Sequence, residues 1–314
     1  YTSGSTGKPK GVMIEHCNVC SFRRWCRDEF ASSLFEIVYA STSICFDISI
    51  FEIFYTLSTG KPLRVIETGL HIGKYLPGDS FVLINTVPVV IENLLNEGTD
   101  LSNVSVINMA GEPVPWKVQQ SLNTESIEAR NLYGPTEDTV YSTVYRLKNG
   151  TPILIGRPIN NTKIYIINKE YQLCSIGVAG EICIGGAGVA RGYLNRSDLT
   201  EEKFIANPFS NDPEARIYKT GDLGRWLPDG NIDYLGRIDD QVKIRGYRIE
   251  LGEIENVILQ SGKIKQAVVL ARTNKSGNKY LAGYIVPEEK FDKEAIIKKL
   301  STKLPEYMIP SVWM

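Results

Sequence analysis

Apolar residues in the first half of the chain come in short unbroken runs. Ile37-Val38-Tyr39-Ala40, Phe81-Val82-Leu83-Ile84 and Val104-Ser105-Val106-Ile107 have the length and composition of buried strands. Residues 48–58 and 88–96 between them carry the helical period. Such alternation predicts an α/β sheet with helices on its faces. From about residue 151 the pattern changes. Ile153-Leu154-Ile155, residues 163–167 and residues 180–184 are strand-like and separated by Gly, Pro and Asn turns, which predicts an antiparallel, barrel-like section.

A second boundary falls at Gly236-Arg237-Ile238-Asp239-Asp240. Beyond it the spacing predicts a strand over 241–245 and a helix over 251–260, with Leu251, Ile254 and Ile258 on one face. A strand over 266–271, a hairpin turn over 274–278, a strand over 280–286 and a helix over 292–304 complete the series. The expected division is therefore 1–238 for a large α/β plus barrel-like part and 239–314 for a small α+β unit.

Composition sharpens this reading mainly by exclusion. The 314 residues are 43% hydrophobic and 23% charged, an ordinary globular balance, long enough for one large domain and a smaller one. Lys plus Arg total 35 against 36 Asp plus Glu, for a net charge of -1, which argues against bulk nucleic-acid binding. No apolar run approaches the ~18–20 residues of a membrane span. The chain begins abruptly inside a loop motif, so it is expected to be an internal piece of a longer protein, and a cytoplasmic one. Its six cysteines are Cys17, Cys20, Cys26, Cys45, Cys174 and Cys183. Cys17 and Cys20 form a C-x-x-C beside His16, but no second pair completes a zinc set, and reduced thiols are expected.

Three runs carry candidate chemistry. Residues 1–11 read Tyr-Thr-Ser-Gly-Ser-Thr-Gly-Lys-Pro-Lys-Gly. Glycines permit tight turns that expose successive N–H groups, and the hydroxyls and lysines add donors and charge, so the run suits a polyphosphate. Taken alone it also suits a flexible linker, and it is not a Walker A loop. The second run is Asn131-Leu132-Tyr133-Gly134-Pro135-Thr136-Glu137. Its Gly-Pro turn gathers an aromatic ring, a hydroxyl and a carboxylate able to bind Mg²⁺, or forms an ordinary surface turn. The third is Tyr218-Lys219-Thr220-Gly221-Asp222-Leu223, followed by Tyr234-Leu235-Gly236-Arg237. Asp222 suits bidentate acceptance from a ribose diol and Arg237 suits phosphate or ribose, or the two are a turn cap and a surface cation.

These runs occur in a fixed order with 185–193 (Gly-Gly-Ala-Gly-Val-Ala-Arg-Gly-Tyr), 243–250 (Lys-Ile-Arg-Gly-Tyr-Arg-Ile-Glu) and 304–310 (Leu-Pro-Glu-Tyr-Met-Ile-Pro). Together they resemble, along the whole chain, the core motifs of a nonribosomal peptide synthetase adenylation domain, a member of the adenylate-forming superfamily. The resemblance implies the luciferase/acyl-CoA-synthetase-like fold, with a small C-terminal lid domain. It implies ATP and Mg²⁺ as cofactors, an amino-acid substrate, and a peptidyl carrier protein that supplies phosphopantetheine, with a condensation domain in the same synthetase. Nucleic acid and membrane are not expected partners.

By the same resemblance Thr2, Ser3, Gly4, Ser5, Thr6, Gly7, Lys8 and Lys10 belong to the phosphate loop, and Thr6, Lys10, Glu137 and Arg237 are catalytic. Tyr133 and Tyr234 sandwich adenine, with Asn131, Gly134 and Thr136 beside it. Glu137 binds Mg²⁺, Asp222 holds the ribose hydroxyls with Arg237 near, and Asp239 is the hinge. Phe46 and Asp47 open the amino-acid pocket, Asp47 pairing with the α-ammonium. Ile48, Phe51, Asn108, Ala110, Leu132, Val140 and Tyr141 line it, with a further position at Asn85 or Thr86. Read without the resemblance, Asp47 is a helix N-cap. Apart from Asp47 no lining residue is charged, so a neutral substrate is expected, alanine first.

The resemblance also implies that about a third of such a domain precedes Tyr1. Its catalytic lysine lies past Met314, so the 314 residues alone are expected to support little adenylation. The alternatives are an acyl- or aryl-CoA ligase of the same superfamily, which the acid at Asp47 disfavours, and an inactive nucleotide-binding module.

Overall fold

The computed structural model describes residues 1–3, 9–244, 246–261, 264–274, 279–288 and 292–314. They form two compact units. Val12–Ile238 is one, and Asp239–Met314 groups with Tyr1–Gly11 as the other. The opening loop thus belongs with the C-terminal residues, not with those that follow it in sequence.

The larger unit is built on strands β1 (Ile37–Ala40), β2 (Leu63–Val65), β3 (Val82–Thr86), β4 (Val104–Ala110), β5 (Glu128–Tyr133), β6 (Thr143–Arg146) and β7 (Arg157–Pro158). They form one sheet in the order β2-β1-β3-β4-β5-β6-β7. The first five of these are parallel, and β6 and β7 are antiparallel. Val82, Ile84, Ile107 and Met109 enter one core, whereas Leu83, Val106, Ala110 and Leu132 enter the core on the opposite face. Burial on both faces is why these strands read as continuous apolar runs. Helix His16–Glu29 packs on the second face through Phe22, Trp25 and Cys26.

The helical stretch after β1 is not uniform. Ile48–Ile50 and Thr56–Thr59 are α-helical, but Phe51–Tyr55 is a π turn. It ends at Gly60, whose φ of 70° a side chain would resist. Within this stretch Glu52 and Thr56 are fully buried while Phe54 and Leu57 are exposed.

A second sheet of the larger unit is antiparallel throughout. It comprises β8 (Thr162–Ile167), β9 (Gly180–Gly186), β10 (Phe204–Ala206), β11 (Arg216–Trp226) and β12 (Ile232–Arg237), ordered β10-β11-β9-β8 with β12 on β11. The strand expected over 153–155 is absent. The carbonyls of Leu154 and Ile155 accept from the side chains of Asn131 and Thr143 instead of a strand ladder. Only the bridge between Gly156 and Ile232 remains.

The smaller unit holds the hairpin β13 (Val242–Ile244) and β14 (Tyr247–Ile249), then β15 (Ile264–Thr273), β16 (Lys279–Pro287) and β17 (Val312–Trp313). β15 and β16 are antiparallel, and β17 runs parallel to β16. Helices Leu251–Leu259 and Lys293–Ser301 share its core through Ile254, Val257, Ile258, Ile296 and Leu300. Asp292 caps the second helix by accepting from the Ala295 N–H. The turn expected over 274–278 lies outside the described residues from 275 onward.

Candidate functional site

The first cluster forms where β5 ends against β11 and β12. The register pairs Asp222 with Arg237 and Gly224 with Tyr234, so all three side chains reach one place. Arg237 donates to Asp222 Oδ1 at 2.8 Å, and the Tyr234 hydroxyl lies 3.4 Å from the same oxygen. Tyr133 donates to Asp222 Oδ2 at 2.6 Å. Asp222 is buried, so these charge-assisted bonds stabilise it in place of water. Burial first, and then the Asp222 charge, hold the Tyr133 hydroxyl well above the usual phenol pKa.

Tyr133 and Tyr234, the residues expected to sandwich adenine, lie beside each other at this cluster. Their ring centroids are 6.1 Å apart and the planes are tilted by 44°. Both hydroxyls approach the one carboxylate of Asp222. The side-chain amide of Asn131, also on β5, donates to the Leu154 carbonyl at 2.7 Å.

The second cluster surrounds the turn 134–142. Gly134 is required there, since a Cβ would meet the Val140 carbonyl at 2.6 Å and the backbone N of Ser142 at 2.8 Å. Thr139 and Val140 have φ of 54° and 76°, a costly conformation for a β-branched residue. Glu137 is fully buried and accepts from the Tyr193 hydroxyl at 2.6 Å, with the Tyr218 hydroxyl 3.5 Å from that of Tyr193. Tyr193 and Tyr218 fall in motifs of the sequence, but nothing in their spacing pointed to this contact.

Beside Glu137, Asp138 accepts from Ser142 Oγ at 2.6 Å, and its Oδ1 lacks a partner among the described residues. Burial pushes the Asp138 carboxyl from its ordinary 3.8 up to about 8. A raised folded pKa favours the protonated, folded form. Its contribution to stability is complete below about pH 3.8 and is lost as pH rises through about 8. We therefore expect Asp138→Asn, which cannot ionise, to show a shallower fall of Tm with rising pH over that range. A slope equal to that of the unaltered chain, followed by tryptophan fluorescence, would refute this assignment.

The third cluster lies on the sheet face that carries helix His16–Glu29. Asn85 on β3 and Asn108 on β4 are register partners, as are Ala110 and Leu132. Ile48, Phe51, Ala110, Leu132, Val140 and Tyr141 are all buried in the core on this face. The Tyr141 hydroxyl donates to Asn85 Oδ1 at 2.8 Å. Asn108 is fully buried with neither its oxygen nor its nitrogen bonded among the described residues. Leaving an amide so placed costs about 1–3 kcal/mol per group, which marks the position as one that meets a ligand or water.

At the edge of this face Asp47 precedes Ile48. It stands at the N-cap position but makes no side-chain cap bond. Instead its Oδ2 accepts from Thr136 Oγ1 at 2.5 Å, which ties it to the 134–142 turn. Phe46 beside it is half-buried, and its carbonyl accepts from the Ser49 hydroxyl.

In the smaller unit, Thr2 and Lys10 pair through two backbone bonds of 2.9 Å. Ser3 Oγ donates to the Arg248 carbonyl at 2.7 Å. Lys10 is buried, and its charge, after that of Arg248, opposes the burial that raises the Glu250 pKa. Asp239 accepts from the Gln241 N–H. Gly4, Ser5, Thr6, Gly7 and Lys8 lie outside the described residues.

As to metal, Mg²⁺ takes one or two carboxylates and completes its shell with phosphates and water. The buried carboxylate of Glu137 fits that donor pattern as one ligand. Among the described residues no group of three or more His, Cys, Asp or Glu side chains gathers as a self-sufficient site.

Comparisons with known proteins identify the family. The family of AMP-binding enzymes matches residues 1–194, and the C-terminal domain of AMP-binding enzymes matches residues 253–313. The chain belongs to this family and has the adenylate-forming fold. Among its relatives, a linear gramicidin synthase from Brevibacillus parabrevis is 47% identical over 322 residues. Bacitracin synthase 1 of Bacillus licheniformis is 44% identical over 323 residues. Each match covers 100% of this chain but 6% of the relative's length. Among solved structures, the Vibrio cholerae adenylation domain AlmE in complex with glycyl-adenosine-5'-phosphate superposes with a TM-score of 0.90 at 25% identity, covering 99% of this chain and 61% of that one. A four-domain nonribosomal peptide synthetase, AB3403, bound to AMP and glycine, matches at a TM-score of 0.69 and 34% identity, over 100% of this chain and 24% of that one. No helix among the described residues is long and apolar enough to cross a membrane.

Proposed function

We propose that the chain activates an amino acid with ATP, as part of a nonribosomal peptide synthetase. The observation that carries this reading is Asp47, a carboxylate held by Thr136 at the edge of an apolar face whose floor includes the unpaired amide of Asn108. An α-ammonium can pair with Asp47 while the side chain enters that face. An acyl- or aryl-CoA ligase would have no use for such an anion.

In the reaction, a carboxylate oxygen of the amino acid bonds to the α-phosphorus of ATP. The bond from that phosphorus to the β-phosphate bridging oxygen breaks, and pyrophosphate leaves. Mg²⁺, when bound, neutralises phosphate charge. This chain supplies position: Asp47 orients the amine, Asp222 and Arg237 the ribose, Glu137 a ligand for the metal, and the 1–11 loop contacts to the phosphates. The acyl group then passes to the phosphopantetheine thiol of a carrier protein, with AMP as leaving group. We assign the change between half-reactions to movement about Asp239. Asp239→Pro, which fixes φ, is expected to preserve one half-reaction and abolish the other. Wild-type rates in both would exclude a hinge there. A condensation domain in the same synthetase and a cytoplasmic location, where ATP is supplied, complete the reading.

For the substrate we propose a neutral, small amino acid, alanine first. Phe51, Leu132 and Tyr141 occupy the volume of the pocket, and a charged side chain would be buried unpaired. Pyrophosphate exchange with alanine, serine, valine, phenylalanine, lysine and glutamate side by side tests it. Neighbours differing by a methylene are expected to differ by only about 10–200-fold. A preference for lysine or glutamate would refute the neutral pocket, and one for phenylalanine would refute its size.

A further inference from the structure

Residues 187–192 follow β9 and belong to no helix or strand. Yet each of their six successive carbonyls accepts a hydrogen bond from elsewhere in the larger unit. Asn18 Nδ2 donates to the carbonyl of Ala187 at 2.8 Å and lies 3.3 Å from that of Val189. Thr139 Oγ1 donates to that of Gly188 at 2.7 Å. The Arg216 guanidinium donates to those of Ala190 and Arg191 at 3.1 and 2.8 Å, and the Met13 N–H to that of Gly192 at 2.9 Å. Water commonly serves the carbonyls of a surface loop, so a loop bonded at every carbonyl is held to one shape.

That shape is built against Glu137. The Ala190 N–H donates to the Glu137 carbonyl at 2.9 Å, and the Tyr193 hydroxyl donates to Glu137 Oε1 at 2.6 Å. The same short segment therefore pins both the backbone of Glu137 and the direction of its side chain. The turn needs such a hold, because Thr139 and Val140 keep φ of 54° and 76°. Gly188 permits the close approach, since a Cβ there would meet Asp138 Oδ1 at 2.7 Å. The ring that carries the Tyr193 hydroxyl is itself packed edge-on against Phe204, with centroids 5.3 Å apart.

A carboxylate that receives a metal loses affinity if it must first be ordered, and hydrogen bonds from behind supply that order in advance. We infer that residues 187–193 clamp the Glu137 carboxylate for Mg²⁺, with Tyr193 as the positioning residue. Tyr193 acts through Glu137, and its effect is confined to the metal-dependent part of nucleotide binding. This rests on the reading of Glu137 as a metal ligand above.

The test is calorimetric titration of the full-length protein that carries this chain with a non-hydrolysable ATP analogue, once with Mg²⁺ and once with EDTA. In the wild type Mg²⁺ is expected to tighten binding. Tyr193→Phe keeps the ring on Phe204 and removes only the hydroxyl. It is expected to leave the affinity in EDTA within about twofold of wild type and to cut the gain from Mg²⁺ about tenfold, the scale on which partners of metal ligands act. In pyrophosphate exchange the same variant should need more Mg²⁺ while KM for the amino acid stays unmoved. Should Tyr193→Phe fail to fold, Gly188→Ala, which forces the segment off Asp138, is to cut the Mg²⁺ gain in the same direction. An undiminished gain in Tyr193→Phe, where Glu137→Gln loses it, would overturn this inference alone. So would equal losses of affinity with Mg²⁺ and with EDTA, which a merely structural tyrosine would give. A full gain in Glu137→Gln, or no gain in the wild type, would overturn the metal reading of Glu137, and this inference with it.

Discussion

Asp47→Ala is expected to abolish amino-acid-dependent pyrophosphate exchange while nucleotide binding persists. The half-buried carboxylate is held by Thr136 and has an apolar face behind it, so among the described lining residues no other anion stands ready to receive the amine. Breaking a buried pair costs on the order of 3–5 kcal/mol, which corresponds to a loss of roughly two to nearly four orders of magnitude in kcat/KM. Titration calorimetry with an ATP analogue separates the two effects. Exchange kinetics equal to wild type in this variant would remove Asp47 from the site.

Asp222→Ala is expected to damage both nucleotide use and stability. It removes the shared acceptor of Tyr133, Tyr234 and Arg237 and leaves a nearly buried guanidinium without its carboxylate. KM for ATP should rise by about a hundredfold or more, on the same scale of broken buried pairs. Tm of the larger unit should fall by on the order of 5–10 °C. Arg237→Ala, which leaves the two tyrosine hydroxyls on Asp222, should cost less in stability. A Tm unchanged in Asp222→Ala would show that the cluster is incidental to folding.

The parts of the fold that were legible are those in which local pattern and tertiary burial agree. The runs at 37–40, 81–84 and 104–107 are strands of the parallel sheet, because a strand covered on both faces has no polar side to mark it. The helices at 88–96 and 251–260 differ from observation by no more than one residue at an end. The run 153–155 was misleading because its carbonyls are satisfied by the side chains of Asn131 and Thr143, an interaction between segments distant in sequence.

The site was legible as motifs, not as geometry. Nothing in the sequence near Glu137 announces Tyr193 as its donor, because the contact spans 56 positions. Residues 48–58 carried a helical period, yet the π turn buries Glu52 and Thr56 and exposes Phe54 and Leu57. That inversion of hydropathy is why the burial of Glu52 was not legible in the sequence.

The central claim is that an amine-bearing carboxylate is adenylated. Its most direct test is exchange of labelled pyrophosphate into ATP by the full-length protein, with alanine and, separately, with propionate, which lacks only the amine. The account predicts exchange with alanine and none above background with propionate. Equal exchange with both, or exchange with neither amino acid nor acid, would contradict it.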